Sequence, residues 1–450
     1  MNRPDSTSIR GFRGPITAEG APGALPSMQT AVTVRPELTV EPLDSDDVAR
    51  AIGHAAERGM PVSVTSTGHG ATSLTGGLLI RTHRMSAITI DPDTRVAEIG
   101  PGATWDQVTA AAARHGLAPL SGTAGTVGAV GYSLGGGISP LSRTFGYAAD
   151  HLVDLDLVTP DGRLRHVSAE DDPELFWAAR GAGAQLGVVT RMAFRLFPID
   201  QVRAGALPVI IDDWAEAADR FATWSAGIPD HTGTFLSLKS FPDLPGLPEV
   251  IRGKRTATVY VTSLGTESEA VDQVRALGGL VDRSAGLAPT PPAELTAVFR
   301  EPAGPHPFQG DAMATSGIAA QALATNAPCL EAEDRPQFVF IHRLGGEMAA
   351  APDEGSCIGN RDAEYLARII TGPGPAHDPA VIADEQDRLV RSLSIEPAGR
   401  VLNFLFGDNR GVAPAHDCYA PDDLRRLVDI TARVDPDGLL APARGRLDGR

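Results

Sequence analysis

In Pro61-Val62-Ser63-Val64-Thr65-Ser66-Thr67-Gly68-His69-Gly70 a short β-branched run enters a segment too rich in Gly, Ser and Thr to continue as strand. A strand opening into a loop of exposed backbone is the unit around which the first half of the chain is arranged. Upstream, Ala31–Val34 and Leu38–Val40 read as short extended pieces. Ser45-Asp46-Asp47 caps a helix whose Val48, Ile52, Ala55 and Ala56 share one face, and Gly59 ends it. Downstream, Ile88–Asp91 and Arg95–Ile99 form a hairpin, and Thr104–His115 a helix with Trp105, Val108 and Ala112 at helical spacing. Gly122–Gly128 then runs into Gly131–Gly137, seven glycines in sixteen positions. Close approach of backbone to a ligand justifies the entropy cost of such a run. Leu152–Thr159 and Leu164–Ser168 make another hairpin, and Gly181–Gly187 opens into the strand Val188–Leu196.

The chain has 450 residues, enough for two or three packed units, and is 42% hydrophobic and 21% charged, as a globular protein is. A net charge of −17 with no Lys/Arg-rich stripe argues against nucleic acid. Cys329, Cys357 and Cys418 are odd in number and contain no C-x-x-C pair, which fits a reducing cytoplasm. No leader or membrane-spanning run is expected. Residues 1–30 read as a poorly ordered arm. After Pro198 the texture becomes Ala-rich helices (Trp214–Trp224, Ser268–Leu277) and alternating strands (Phe235–Ser240, Thr256–Thr262, Gln337–Leu344). That texture predicts an α+β unit with an antiparallel sheet. A strand at Val401–Phe406 and a helix opened by Pro421 close the chain.

Several strings imitate familiar motifs. Gly131-Tyr132-Ser133-Leu134-Gly135 satisfies G-x-S-x-G, but nothing after Gly137 starts the helix a nucleophile elbow needs. Gly181-x-Gly183-x-x-x-Gly187 is one residue too long for a dinucleotide fingerprint and leads into a strand. No H-E-x-x-H, Walker loop or paired Cys/His set is present, so no metal is expected. Three glycine-rich loops remain, whose backbone N–H groups can cradle a pyrophosphate; each loop alone is equally served by tight turns. His69, flanked by glycines, is uncrowded, and a neutral imidazole is a nucleophile.

Gly68-His69, Gly100-Pro101-Gly102-Ala103-Thr104-Trp105, Thr126-Val127-Gly128, Gly135-Gly136-Gly137, Glu174-Leu175-Phe176-Trp177, Gly187-Val188-Val189-Thr190 and Leu402-Asn403-Phe404 together resemble the berberine bridge enzyme-like branch of the vanillyl-alcohol oxidase superfamily. Its flavin domain is of the PCMH type. The resemblance implies an α+β fold: an FAD-binding domain split into 31–197 and 398–450, with a substrate domain, 198–397, inserted between. It implies FAD attached through its 8α-methyl to His69, held by Ser66, Thr67, Gly68, Gly70, Ser73, Thr126, Val127, Gly128, Ser133, Gly135, Gly136, Ile138, Gly187, Val188, Val189 and Asn403. Ala124 stands where many members carry a second, cysteinyl link, so a single bond is expected. Val127 stands at the family's dioxygen gate.

One departure concerns the base. Members often place a tyrosine two residues before the Asn of the C-terminal segment, and Val401 is there instead. His342, on a face shared with Phe338, Phe340 and Leu344, and Tyr132 are the candidate substitutes. The expected activity is hydride transfer from an alcohol, sugar or secondary metabolite to FAD, with dioxygen as acceptor. The alternatives are a tailoring enzyme performing cyclisation or a redox-neutral rearrangement, and a non-catalytic flavin-fold binder.

Overall fold

A computed structural model describes residues 8–19, 27–246, 248–282, 286–332, 335–374, 376–408 and 415–440. Val62–Thr65 lies parallel to Leu78–Arg81, which lies parallel to Leu38–Val40. The helix Ser45–Arg58 covers this sheet with Val48, Ala51, Ile52 and Ala55, all fully buried. Asp44, not Ser45, is its N-cap and accepts from the backbone N–H of Asp47, while Gly59 closes it at φ 61°.

The arm expected to be loose is not so where it is described. Ile16–Ala18 adds an antiparallel edge strand to Leu38–Val40, Ile9 is buried in the same core, and Arg13 pairs with Asp44 and Asp47. Periodicity missed this because a three-residue strand carries none. The rest of the expected arm, 1–7 and 20–26, lies outside the described residues.

A second, antiparallel sheet runs Leu164–Ser168, Leu152–Val158, Val188–Arg195, Val96–Ile99, Ile88–Asp91. Trp105 opens the helix Trp105–Ala113 behind a capping box of Thr104 and Gln107, and packs edge-on against Phe194. The chain's end returns here. Leu427 and Ile430 of the helix Pro421–Val434 join the core around Trp177, and the Val62 N–H donates to the Leu439 carbonyl at 2.8 Å.

The third sheet has eight strands, all antiparallel, in the order Ala288–Thr290, Val202–Ile211, Arg255–Ser263, Thr232–Ser240, Gln337–Arg343, Tyr365–Thr371, Gln309–Ile318, Ser394–Arg400. Val339 and Ile341 turn into a core with the helices Trp214–Ser225 and Pro379–Leu393. The alternate residues Phe340 and His342 face the other way, and His342 reaches the space beside the glycine loops. Val401–Phe406 is not a strand: Leu402–Phe404 is a single 3₁₀ turn, followed at Phe406 by one bridge to Gly310.

Candidate functional site: a cavity between the glycine loops and the third sheet

A cavity of about 1070 Å³ lies where the loop after Val62–Thr65, the loops 122–138 and the free face of the third sheet converge. That matches the upper end of small-molecule and cofactor sites, ~300–1,000 Å³. Ser66, Thr67, Gly68, His69 and Gly70 line it on one side. Gly68 adopts φ +80°, and a Cβ there would stand 2.2 Å from the Ser27 hydroxyl oxygen, so only glycine closes this turn. The chain 27–29 clasps the loop from behind: the Met28 N–H donates to the Thr67 carbonyl and the Ser27 hydroxyl to that of Gly68.

His69 is half-buried, its Nδ1 2.8 Å from the Thr67 hydroxyl and its Nε2 3.2 Å from that of Thr126. Burial, with a smaller push from His306, lowers its pKa from 6.5 to about 4, so the imidazole is neutral at physiological pH. Thr126 itself sits behind the ring, whereas Ala124, Val127 and Gly128 reach the cavity wall. A Cβ at Gly125 would fall 1.6 Å from the Asp106 carboxylate, whose exposed side chain would have to swing aside.

The short helix Ala129–Leu134 carries Tyr132 to the wall and leaves Ser133 buried, not raised on an elbow. Asn403 lines the cavity, donates to the Tyr132 carbonyl at 2.9 Å and packs where a Gly135 side chain would be. Gly135 and Ile138 complete that side.

Other expected cofactor contacts are placed elsewhere. Ser73 is engaged by the Asp408 carboxylate, which accepts from its N–H at 2.8 Å and from its hydroxyl. Gly136 lies against Ile358 and Tyr147. Gly187, Val188 and Val189 do not line the cavity: Val188 and Val189 belong to two hydrophobic cores, and Gly187 packs on Leu157 and Val158. Earlier in the same glycine run, Gly183 and Ala184 do line the cavity.

On the opposite wall His342 stacks on Phe235, with ring centroids 4.7 Å apart, and lies 5.9 Å from Phe404. Burial, and then the charge of Arg368, push its pKa down to about 3. Its Nε2 is buried without a hydrogen-bond partner, as are the Ser66 and Tyr132 hydroxyl oxygens. Burial raises the Tyr132 phenol well above its ordinary range, so it stays protonated. Sequence reasoning overlooked Arg368, which enters this wall from Tyr365–Thr371 directly opposite Phe340. Its only signal is one Arg inside an otherwise apolar run, Tyr365-Leu-Ala-Arg-Ile-Ile-Thr371.

The residues present fit FAD. Three buried polar atoms on the walls await partners, a glycine-shaped backbone loop offers N–H groups, and a neutral imidazole opens onto the space. Among the described residues no group of His, Cys, Asp and Glu is arranged to hold a metal, and no helix is long and apolar enough to cross a membrane.

Residues 36–168 match the FAD binding domain family. The chain is 33% identical over 422 residues to an FAD-linked oxidoreductase of Dictyostelium discoideum, covering 89% of this chain and 86% of that protein. It is 32% identical to (R)-6-hydroxynicotine oxidase of Paenarthrobacter nicotinovorans over 207 residues, a match spanning 45% of this chain and 42% of that one. In fold it superposes on the xylooligosaccharide oxidase from Myceliophthora thermophila with a TM-score of 0.82 at 20% identity, covering 97% and 98% of the two chains.

Proposed function

The chain belongs to the FAD-linked oxidoreductases, and on that premise we propose that it is a berberine bridge enzyme-like member that oxidises a small molecule with FAD held by one covalent bond to His69. The observation that carries this is the imidazole itself: neutral, set by two threonine hydroxyls, and open to a cavity of cofactor size. The absence of a thiol at Ala124 limits attachment to that single bond. On this reading 31–197 and 398–440 hold the cofactor and 198–397 meet the substrate.

When bound, FAD supplies a hydride acceptor that dioxygen reoxidises with release of hydrogen peroxide, so a substrate alcohol loses one hydride and one proton. Thr67 and Thr126 hold the neutral His69 ring in one orientation, and the nitrogen that carries the lone pair accepts from one of these hydroxyls, which has to let go for a covalent bond to form. Backbone groups of Ser66–Gly70 and Gly128 would hold the cofactor, which would give the Ser66 hydroxyl the partner it lacks. Asn403 fixes the Tyr132 backbone, and the Tyr132 phenol serves as a donor, not a base. His342, expected from its ordinary pKa to be poised near neutrality, is the proposed acceptor of the hydroxyl proton on geometry alone, its Nε2 unengaged and on the substrate wall, while burial and the charge of Arg368 make it a weak base in the empty cavity. Phe235 and Phe404 beside it exclude water, and the small Val127 leaves room for dioxygen.

That (R)-6-hydroxynicotine and xylooligosaccharides are the substrates of relatives supports oxidation of an alcohol, a sugar or a secondary metabolite. The absorption spectrum of the purified protein tests the reading. A flavin spectrum, bleached by substrate and restored in air, is expected; a colourless protein overturns it.

A further inference from the structure

Arg368 is a cation without a counter-ion. Its Nε is buried and unbonded, and no Asp or Glu among the described residues comes within 4.0 Å of its nitrogens. Aromatic rings surround it instead: its guanidinium carbon lies 4.9 Å from the Phe340 ring centroid, 4.4 Å from Phe404 and 5.9 Å from Phe406. Burial lowers its pKa from 12.5 to about 10, which still leaves it charged at neutral pH. Glu301, on the cavity wall, pulls on it from a distance while accepting from the Thr123 hydroxyl at 3.0 Å.

A buried unpaired charge is costly, and cation–π contacts of about 0.5–2 kcal/mol each offset that only partly. Among the described residues three arginines are buried outright and each has a carboxylate in reach, although at Arg180, 3.6 Å from Glu354, Nε and Nη2 stay unbonded. Arg400 is met by Asp311 and Asp387, and Arg143 by Asp230 and three backbone carbonyls. Arg368 alone among these opens onto the cavity with its donors unspent.

We infer that Arg368 is a specificity-determining residue that binds a carboxylate on the substrate, so that this enzyme oxidises the alcohol carbon of an apolar or aromatic hydroxy acid, hydride to the flavin and hydroxyl proton to a side chain, rather than a neutral sugar. The inference rests on the proposed function, since it takes the cavity to be the substrate site. Guanidinium and carboxylate match as a planar two-bond pair. Phe340, Phe404 and Phe235 around that point suit an apolar body far better than a ring of hydroxyls, which needs many polar partners. The same binding helps the proton acceptor. The charge of Arg368 is one of the two causes depressing His342, and a bound carboxylate neutralises it, raising the basicity of His342 when substrate is present.

The test uses the flavin-loaded protein with 3-phenylpropanoate and benzoate as probes and their amides as neutral isosteres, read by the flavin difference spectrum. Wild type should bind the acids about 10–100-fold more tightly than the amides, as a charged hydrogen-bonded pair is worth. Arg368→Gln should bring the two within about threefold while keeping its flavin, and Arg368→Lys should restore part of the gap. Equal binding of acid and amide by wild type, or discrimination that survives in Arg368→Gln, overturns the inference. So does a shifted flavin potential with discrimination unchanged, which would assign the charge to the cofactor. A colourless wild-type protein removes the proposed function as well, whereas a yellow one that fails to discriminate leaves that function standing.

Discussion

His342→Phe exposes the cost of keeping an imidazole neutral in the aromatic wall. The side chain is 9% exposed and stacked on Phe235, near Phe340 and Phe404, so a phenyl ring occupies the same space among the same neighbours. In the folded protein its pKa is about 3, against 6.5 for the unfolded chain. As pH falls the unfolded chain therefore takes up the proton first. The stability this neutral imidazole permits is complete above pH 6.5 and is lost progressively towards about pH 3. At 1.36 kcal/mol per pH unit the loss is about 2 kcal/mol at pH 5 and at most about 5 kcal/mol in total. Urea unfolding of the flavin-loaded wild type and variant, at about pH 7.5 and about pH 5, isolates the term, because every other titrating group is common to both. Wild type should lose about 2 kcal/mol more than His342→Phe between the two conditions. If the two proteins lose the same amount within about 0.5 kcal/mol, the imidazole is not held neutral by burial and its role as an unengaged acceptor falls with it.

Arg400 is fully buried between Asp311 and Asp387, so Arg400→Met strands the buried Asp311 and should cost about 3–5 kcal/mol in denaturant unfolding; a change below about 1 kcal/mol would contradict the pairing. Gly68→Ala puts a Cβ at φ +80° and against Ser27, and a loss of about 1–3 kcal/mol together with a lower flavin content is expected, an unchanged flavin-to-protein ratio being the contrary result. Reduced enzyme should reoxidise when air is admitted, indifferent to NAD or NADP; reoxidation only by an artificial acceptor would make it a dehydrogenase.

The first half of the fold was legible because its signals are local. Asp44 to Gly59 carries a cap, an apolar stripe and a glycine stop, and the hairpins alternate cleanly. The third sheet was legible only in part. Gln309–Ile318 reads Gln-Gly-Asp-Ala-Met-Ala-Thr-Ser-Gly-Ile, with few β-branched residues, and Ser394–Arg400 contains Pro397 and Gly399, tolerated because that strand is at the edge. Val202–Ile211 and Tyr365–Thr371 passed unnoticed beside louder neighbours. At the site, the loops were visible as glycine density, and His69 by its flanks. Arg368 was not, because a lone arginine reads as solvated until the sheet shows which face it occupies and that no carboxylate meets it. The glycine run before Val188 divides its service, Gly183 and Ala184 lining the cavity while Gly187 packs on Leu157 and Val158.

Acid precipitation of the purified protein tests the central claim most directly. If His69 carries the flavin through one covalent bond, the yellow colour stays with the precipitated wild-type chain, and His69→Ala releases its flavin to the supernatant. Complete release of flavin from the wild type, or its retention by His69→Ala, would contradict the account.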